Sequence, residues 1–137
     1  MTYMIVSERR AKETVKVQSP EDVYQALSSY YNKRREHFLT LILDGSHTIQ
    51  RILITSIGIL NRSIVHPREV YAPAIKDGAA AIICAHNHPS GNTEPSSEDR
   101  EITERLKEAA KILGIPLLDH LVFSKHGYYS FLEHNDL

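Results

Sequence analysis

The sequence carries a single cysteine, Cys84, so no disulfide can form within the chain. That usage fits a reducing, cytoplasmic setting. No apolar run approaches the roughly 20 residues of a membrane-spanning helix, and the N-terminal residues show no signal-peptide pattern. Excess charge of either sign is also missing: 16 Lys and Arg against 17 Asp and Glu leave −1. A balance so near neutral supplies no global attraction to nucleic acid or an anionic membrane. The Gly-x-Ser-x-Gly elbow, the P-loop and the dinucleotide glycine fingerprint are absent.

What is present is ordinary except in one respect. A chain of 137 residues, 42% hydrophobic and 24% charged, suffices for one domain with a sizeable core. Eight histidines are unusual for that length. Residues 1–13 are short, mixed and charged and read as an arm, with room for one short strand. Residues 14–137 read as a single domain. A brief strand is expected over 14–17. Ser19-Pro20-Glu21-Asp22 starts a helix that the spacing of Val23, Ala26, Leu27 and Tyr30 carries to about Tyr31. Lys33, Arg34 and Arg35 follow at its end, where positive charge complements the helix dipole.

Strands are expected over 36–44 and 48–56, joined by the turn Asp44-Gly45-Ser46, and a third over 58–65. His66-Pro67 opens a second helix that Gly78 ends. The wholly apolar run 79–85 is the pattern of a central strand covered on both faces. Residues 96–113 form the best helix, stopped by Gly114 and Pro116. Strands 117–124 and 128–132 close the chain through the turn at Lys125-His126-Gly127. The fold class is therefore mixed α/β: a central mixed β-sheet flanked by helices.

Chemistry concentrates after the central strand, in Ala85-His86-Asn87-His88-Pro89-Ser90-Gly91 and on to Pro95-Ser96-Ser97-Glu98-Asp99. Residues i and i+2 of a strand share a face, so His86 and His88 can aim both imidazoles at one point. Asn87 then points away or uses its amide to fix the loop. Two imidazoles and one carboxylate make a catalytic zinc set with a fourth position left for water. Asp99 supplies the carboxylate if the turn-rich loop folds back. Ser96-x-x-Asp99 is also a capping box, which by itself would only start a helix. Capping and ligation do not compete, because an acid in the first helical turn stays ionised.

These residues resemble the JAMM (MPN+) metalloprotease motif: His-x-His, seven residues, Ser, two residues, Asp. They are most similar to its RadC-like branch, whose loop shares the Asn-His-Pro-Ser-Gly wording. Arg35-Glu36-His37-Phe38, Val65-His66-Pro67-Arg68-Glu69 and Leu118-Asp119-His120 resemble that branch too, so the likeness runs from about Gln18 to the C-terminus. Asn87 departs from the general pattern, which has Ser or Thr between the histidines, and fits the branch. The resemblance implies a JAB/MPN-like architecture of the cytidine-deaminase-like kind. It also implies one zinc ion per chain on His86, His88 and Asp99, with a water activated by Glu36. Ser96 would stabilise the oxyanion, and the bond cleaved would be a peptide or isopeptide bond in a peptide or protein substrate. Nothing in the residues alone singles out Glu36, an acid beside two arginines.

The alternative reading is a non-enzymatic protein associated with DNA repair or replication, as RadC-like proteins are labelled. Such proteins typically carry an N-terminal helix-hairpin-helix module, for which this chain has no room. Its near-neutral charge argues against direct nucleic-acid binding. A zinc deaminase is excluded, since that site needs His-x-Glu and Pro-Cys-x-x-Cys. Cys84 reads as plain core, and His120 reads equally as core or as support for a metal ligand. His66 and Arg68 read as a helix start. His37, His47, His126 and His134 read as surface residues.

Overall fold

The computed structural model describes residues 7–10, 15–58 and 65–137. Ten elements follow in order: β1 (Ser7–Arg10), α1 (Pro20–Ala26), a 3-10 turn (Ser28–Tyr30), β2 (His37–Leu43), β3 (Ile49–Ile57), α2 (Pro67–Lys76), β4 (Ala81–Asn87), α3 (Ser97–Leu113), β5 (Leu117–Ser124) and β6 (Gly127–Ser130). The strands make one six-stranded sheet in the order β1-β3-β2-β4-β5-β6. Its pairings are antiparallel except β4 with β5, the pair connected through α3. The mixed sheet flanked by helices expected from the hydrophobic pattern is the fold observed. Among the described residues, no helix is long and apolar enough to cross a membrane.

Strand alternation divides the core in two. Leu39, Leu41 and Leu43 of β2, with Ile83 and Ala85 of β4, pack toward Val23 of α1 and Leu27 at its C-terminal cap. Phe38, Ile82 and Cys84 face the other way, toward Val70 and Ala74 of α2 and Ile102 and Leu106 of α3. All seven residues of β4 are buried, as a strand covered on both faces requires. Cys84 is therefore core, as read.

The helix starts follow their caps. Pro20 opens α1, and the Asp22 carboxylate accepts the backbone N–H groups of Gln18 (2.8 Å) and Ser19 (3.1 Å). The α-helix ends at Ala26 rather than near Tyr31. Ser28 and Ser29 are poor continuers, and the tighter 3-10 turn places Leu27 and Tyr30, three apart, both into the core. His66 caps α2 by accepting the Arg68 N–H at Nδ1, the simple role expected of it.

Other expectations shift by a few residues or lie outside the described set. Residues 15–17 make only an isolated bridge, Lys16 to Thr48. The strand expected over 58–65 falls on 59–64, outside the described residues. β4 runs two residues past Ala85, which keeps His86 on the sheet. β6 stops at Ser130, where Asp119 diverts the chain. That buried carboxylate accepts the Ser130 hydroxyl (2.5 Å) and the backbone N–H groups of His120 (2.7 Å) and Leu132 (3.0 Å).

Gly114 closes α3 in the left-handed region at φ 70°, donating its N–H to the Ala110 carbonyl. A Cβ there meets nothing within 4 Å, so only backbone strain opposes a side chain. Gly114→Ala should cost about 1 kcal/mol in urea unfolding, and Gly114→Asn less. Equal stability of the alanine variant would contradict this account of the helix end.

Candidate metal centre

The site grows from the end of β4. His86 follows Ile82 and Cys84 on the face turned to α3, and Asn87 takes the opposite face. The chain has left the strand at His88, yet the His88 N–H still donates to the Phe123 carbonyl of β5 at 2.8 Å. The ring thus stays on the His86 side, with 4.9 Å between centroids. The chain then turns sharply. Gly91, at φ 90°, donates its N–H to the His88 carbonyl. The Asn92 side chain accepts the Glu94 N–H. Buried Pro95 leads into the capping box of α3: Ser96 Oγ accepts the Asp99 N–H (3.1 Å), and Asp99 Oδ2 accepts the Ser96 N–H (2.7 Å).

The loop therefore returns Asp99 to the two histidines. His86 Nε2 lies 2.8 Å from Asp99 Oδ1, His88 Nε2 lies 3.3 Å from Asp99 Oδ2, and the two Nε2 atoms are 3.0 Å apart. One ligand atom from each residue lies within 4.8 Å of the others. Hydrogen bonds decide which ring nitrogens carry protons. His88 Nδ1 faces the Asn92 carbonyl at 2.7 Å, so it donates, and its Nε2 keeps a lone pair when the ring is neutral. Two nitrogen lone pairs and a carboxylate converging on one point repel unless a cation sits among them. A proton can meet that need, as can a metal ion with this donor set. The residues present therefore fit a metal ion.

A buried chain behind His86 supports the same arrangement. His86 Nδ1 is 3.0 Å from His120 Nε2, His120 Nδ1 is 2.5 Å from Thr103 Oγ1, and the Thr103 hydroxyl donates to the Asp99 carbonyl at 2.7 Å. The carbonyl at the end sets the direction throughout. Thr103 spends its proton there, so His120 Nδ1 donates to Thr103, and His120 Nε2 accepts from His86 Nδ1–H. That leaves His86 Nε2 bare toward Asp99. His120 is fully buried, and the Phe131 ring stacks on it at 5.0 Å. Burial, with His86 beside it, pushes its pKa down to about 3, so the ring stays a neutral relay.

The charges agree with that geometry. Burial alone would raise the Asp99 carboxyl, but the imidazoles of His86 and His88 beside it, with the Ser96 N–H, outweigh it and hold the group well below the ordinary carboxylate range. Burial likewise opposes charge on His88, yet the bond to Asp99 raises its pKa above the ordinary imidazole value.

Glu36 immediately precedes β2. Its carbonyl accepts the Gly58 N–H (2.9 Å), which continues the ladder with β3. Phe38 pairs with His86 across β2 and β4, so Glu36, two residues before Phe38, shares the histidine face. Its charge contributes to the raised pKa of His88. Ser96 is exposed and its Oγ accepts from Asp99 N–H, which leaves the hydroxyl proton to donate outward. Asn87 was expected to point away or to fix the loop. It points to the far face, and its amide holds the Glu36 segment instead. Oδ1 accepts the His37 N–H (2.6 Å), while Nδ2 donates to the carbonyls of Lys33 (3.3 Å) and Arg35 (3.0 Å). His37, read as a surface residue, is buried, with Nδ1 2.9 Å from the Arg35 carbonyl. Thr103 was not singled out by sequence, since a threonine inside an amphipathic helix gives no signal of its own.

Fold and site together define a mixed α/β domain with a His/His/Asp cluster at the carboxyl end of its central strand. The sequence pattern of the RadC-like JAB domain matches residues 17–136, and the chain belongs to that family. It is similar to a UPF0758 protein of Trichlorobacter lovleyi, with 50% identity over 91% of this chain and 55% of that protein. A UPF0758 protein of Geobacter sulfurreducens is 46% identical over 97% of this chain and 58% of its own length. For one from Methanospirillum hungatei the figures are 50%, 83% and 52%. The chain thus spans about half the length of the curated relatives it matches.

Two outcomes follow from this geometry. Binding a metal ion requires the raised proton of His88 to leave, so Zn2+ affinity should climb as pH rises between about 5 and 8 and fall below that range. A chelator-competition titration with flat affinity would contradict it. His120→Ala removes the acceptor for His86 Nδ1–H and should weaken Zn2+ binding by about 10- to 100-fold. His120→Gln, which can accept from His86 and donate to Thr103, should recover part of that loss.

Proposed function

We propose that this domain is a zinc-dependent hydrolase of the JAMM type that cleaves a peptide or isopeptide bond in a protein or peptide substrate. The observation that carries the reading is the convergence of His86, His88 and Asp99 on one point, with Glu36 two residues before Phe38, the strand partner of His86. One zinc ion per chain on those three residues supplies a Lewis acid that polarises the scissile carbonyl and acidifies a water.

The remaining work belongs to the protein. Glu36 takes a proton from the attacking water and delivers it to the leaving amine. The Ser96 hydroxyl, its lone pair committed to the Asp99 N–H, donates to the oxygen that gains charge. Asn87 holds the segment bearing Glu36 against β4, so general base and metal ligands keep a fixed separation. The Asp99 carboxylate, bound to the Ser96 N–H at Oδ2, stays ionised and keeps its place at the helix start. A cytoplasmic setting accords with the single, fully buried thiol of Cys84.

Metal analysis of protein purified without added metal should find zinc near one ion per chain, or capacity for it. Glu36→Gln should keep the metal and lose about 10²- to 10⁴-fold in turnover of a peptide library. His88→Ala should lose both metal and turnover. Salt-dependent DNA affinity without hydrolysis of any peptide would replace this reading with the non-enzymatic one.

A further inference from the structure

Beside His88 lies a cleft of about 500 Å³, within the size range of ligand pockets. It opens among the link from α1 to β2, the loop after β4 and the turn from β5 to β6. Its position is the carboxyl end of the parallel pair β4 and β5. Among the described residues, Lys33, Arg34, Lys125 and His126 line it, and no carboxylate does. Among the described residues, neither lysine nor Arg34 makes an ion pair within 4.0 Å. Positive charge is thus gathered at one place in a chain whose net charge is −1. A second basin of about 370 Å³ continues from it, sharing Arg34 and Pro89 and adding Arg35, Glu36 and Gly58. A chain lying along both basins passes Glu36 and His88 and ends among the cations.

We infer that this cleft selects acidic peptide segments, holding a Glu or Asp side chain of the substrate beside the bond to be cleaved. The inference rests on the hydrolase reading and names the substrate class for it. Carboxylates fit on three grounds. Cations gathered around one concave site attract an anion more strongly than the same groups spread over a surface. A peptide with acids on one side of the scissile bond leaves the Glu36 end of the groove free of like charge. Single-stranded nucleic acid, the other anion of similar width, would need a free aromatic face for its bases. Tyr31, the aromatic residue lining the cleft, is committed elsewhere. Its ring stacks on Tyr24 at 4.7 Å and meets the edge of Phe123, and its hydroxyl donates to the Tyr24 carbonyl.

The test is a binding measurement on the zinc-loaded chain, independent of turnover. Fluorescence anisotropy at low salt compares a short labelled peptide alternating Glu and Ala with its Gln counterpart. The Glu peptide should bind about tenfold or more tightly, a difference near 1.4 kcal/mol. The paired substitution Lys33→Glu with Lys125→Glu should erase the preference, and Lys33→Arg with Lys125→Arg should keep it. Both pairs are exposed changes, so unaltered melting temperatures confirm intact folding. Equal affinity for the two peptides, no measurable binding of either, or indifference to charge reversal overturns the inference. So does tighter binding of a short single-stranded oligonucleotide than of the Glu peptide. Acid-selective binding without cleavage would sink the hydrolase reading and leave the cleft's preference standing. Cleavage with no preference for acids does the reverse.

Discussion

Electron-pair donors brought within 2.8 to 3.3 Å of one another demand a positive charge among them, and the structure around His86, His88 and Asp99 is arranged to meet that demand. The Asn92 carbonyl fixes one ring and the His120–Thr103 chain fixes the other, so neither imidazole can relieve the crowding by exchanging its protonated nitrogen. Asp99 is fixed as firmly by the backbone of its own helix. With each donor held from behind, the site needs no rearrangement to accept a cation. Ligand sets of that kind owe their affinity to order already established in folding.

The two-residue alternation of β4 carries this order across the sheet. Even-numbered positions of the strand supply Cys84 to the core and His86 to the site, and odd-numbered positions supply Ala85 to the opposite core. Asn87 is the exception that joins the halves, a polar side chain buried on the α1 face. Its three hydrogen bonds tie the end of β4 to the chain entering β2. Glu36 and the histidines, far apart in sequence, are thereby held by one amide. The unpaired cost of that amide in a dry interior makes the tie strict.

Much of this was legible in the sequence because it is written locally. The apolar run before His86, the i and i+2 spacing, the turn-rich loop and the Ser96-x-x-Asp99 cap each have a short-range physical meaning. Together they predicted that His86, His88 and Asp99 converge, and the structure brings those three into a group that could hold a metal ion. The helix start at Ser19-Pro20 and the stop at Gly114 were equally plain. Local rules failed where a distant partner decided the outcome. α1 ends early because Leu27 and Tyr30 bury together. β6 ends early because Asp119 captures Ser130 and Leu132. His37 is interior because Asn87 holds its backbone. No spacing rule assigns Thr103 to His120, since that contact exists only once α3 lies across β5. Glu36 came from family likeness, and its place two residues before Phe38, the strand partner of His86, is visible only in the folded sheet.

Asp99 is shared between two tasks, and this has a consequence for how such a site can arise. A helix opened by a Ser-x-x-Asp cap already presents an ionised carboxylate with one oxygen bound to its own backbone and the other turned toward the neighbouring strand. Two histidines of the same parity at that strand's end then complete the set without any change of backbone path. In sequence space, a plain capped helix beside a buried strand lies only two substitutions away from a ligand cluster. The capping box is a ready-made half of the centre, kept in place by the stability of the helix whether or not any chemistry is performed there.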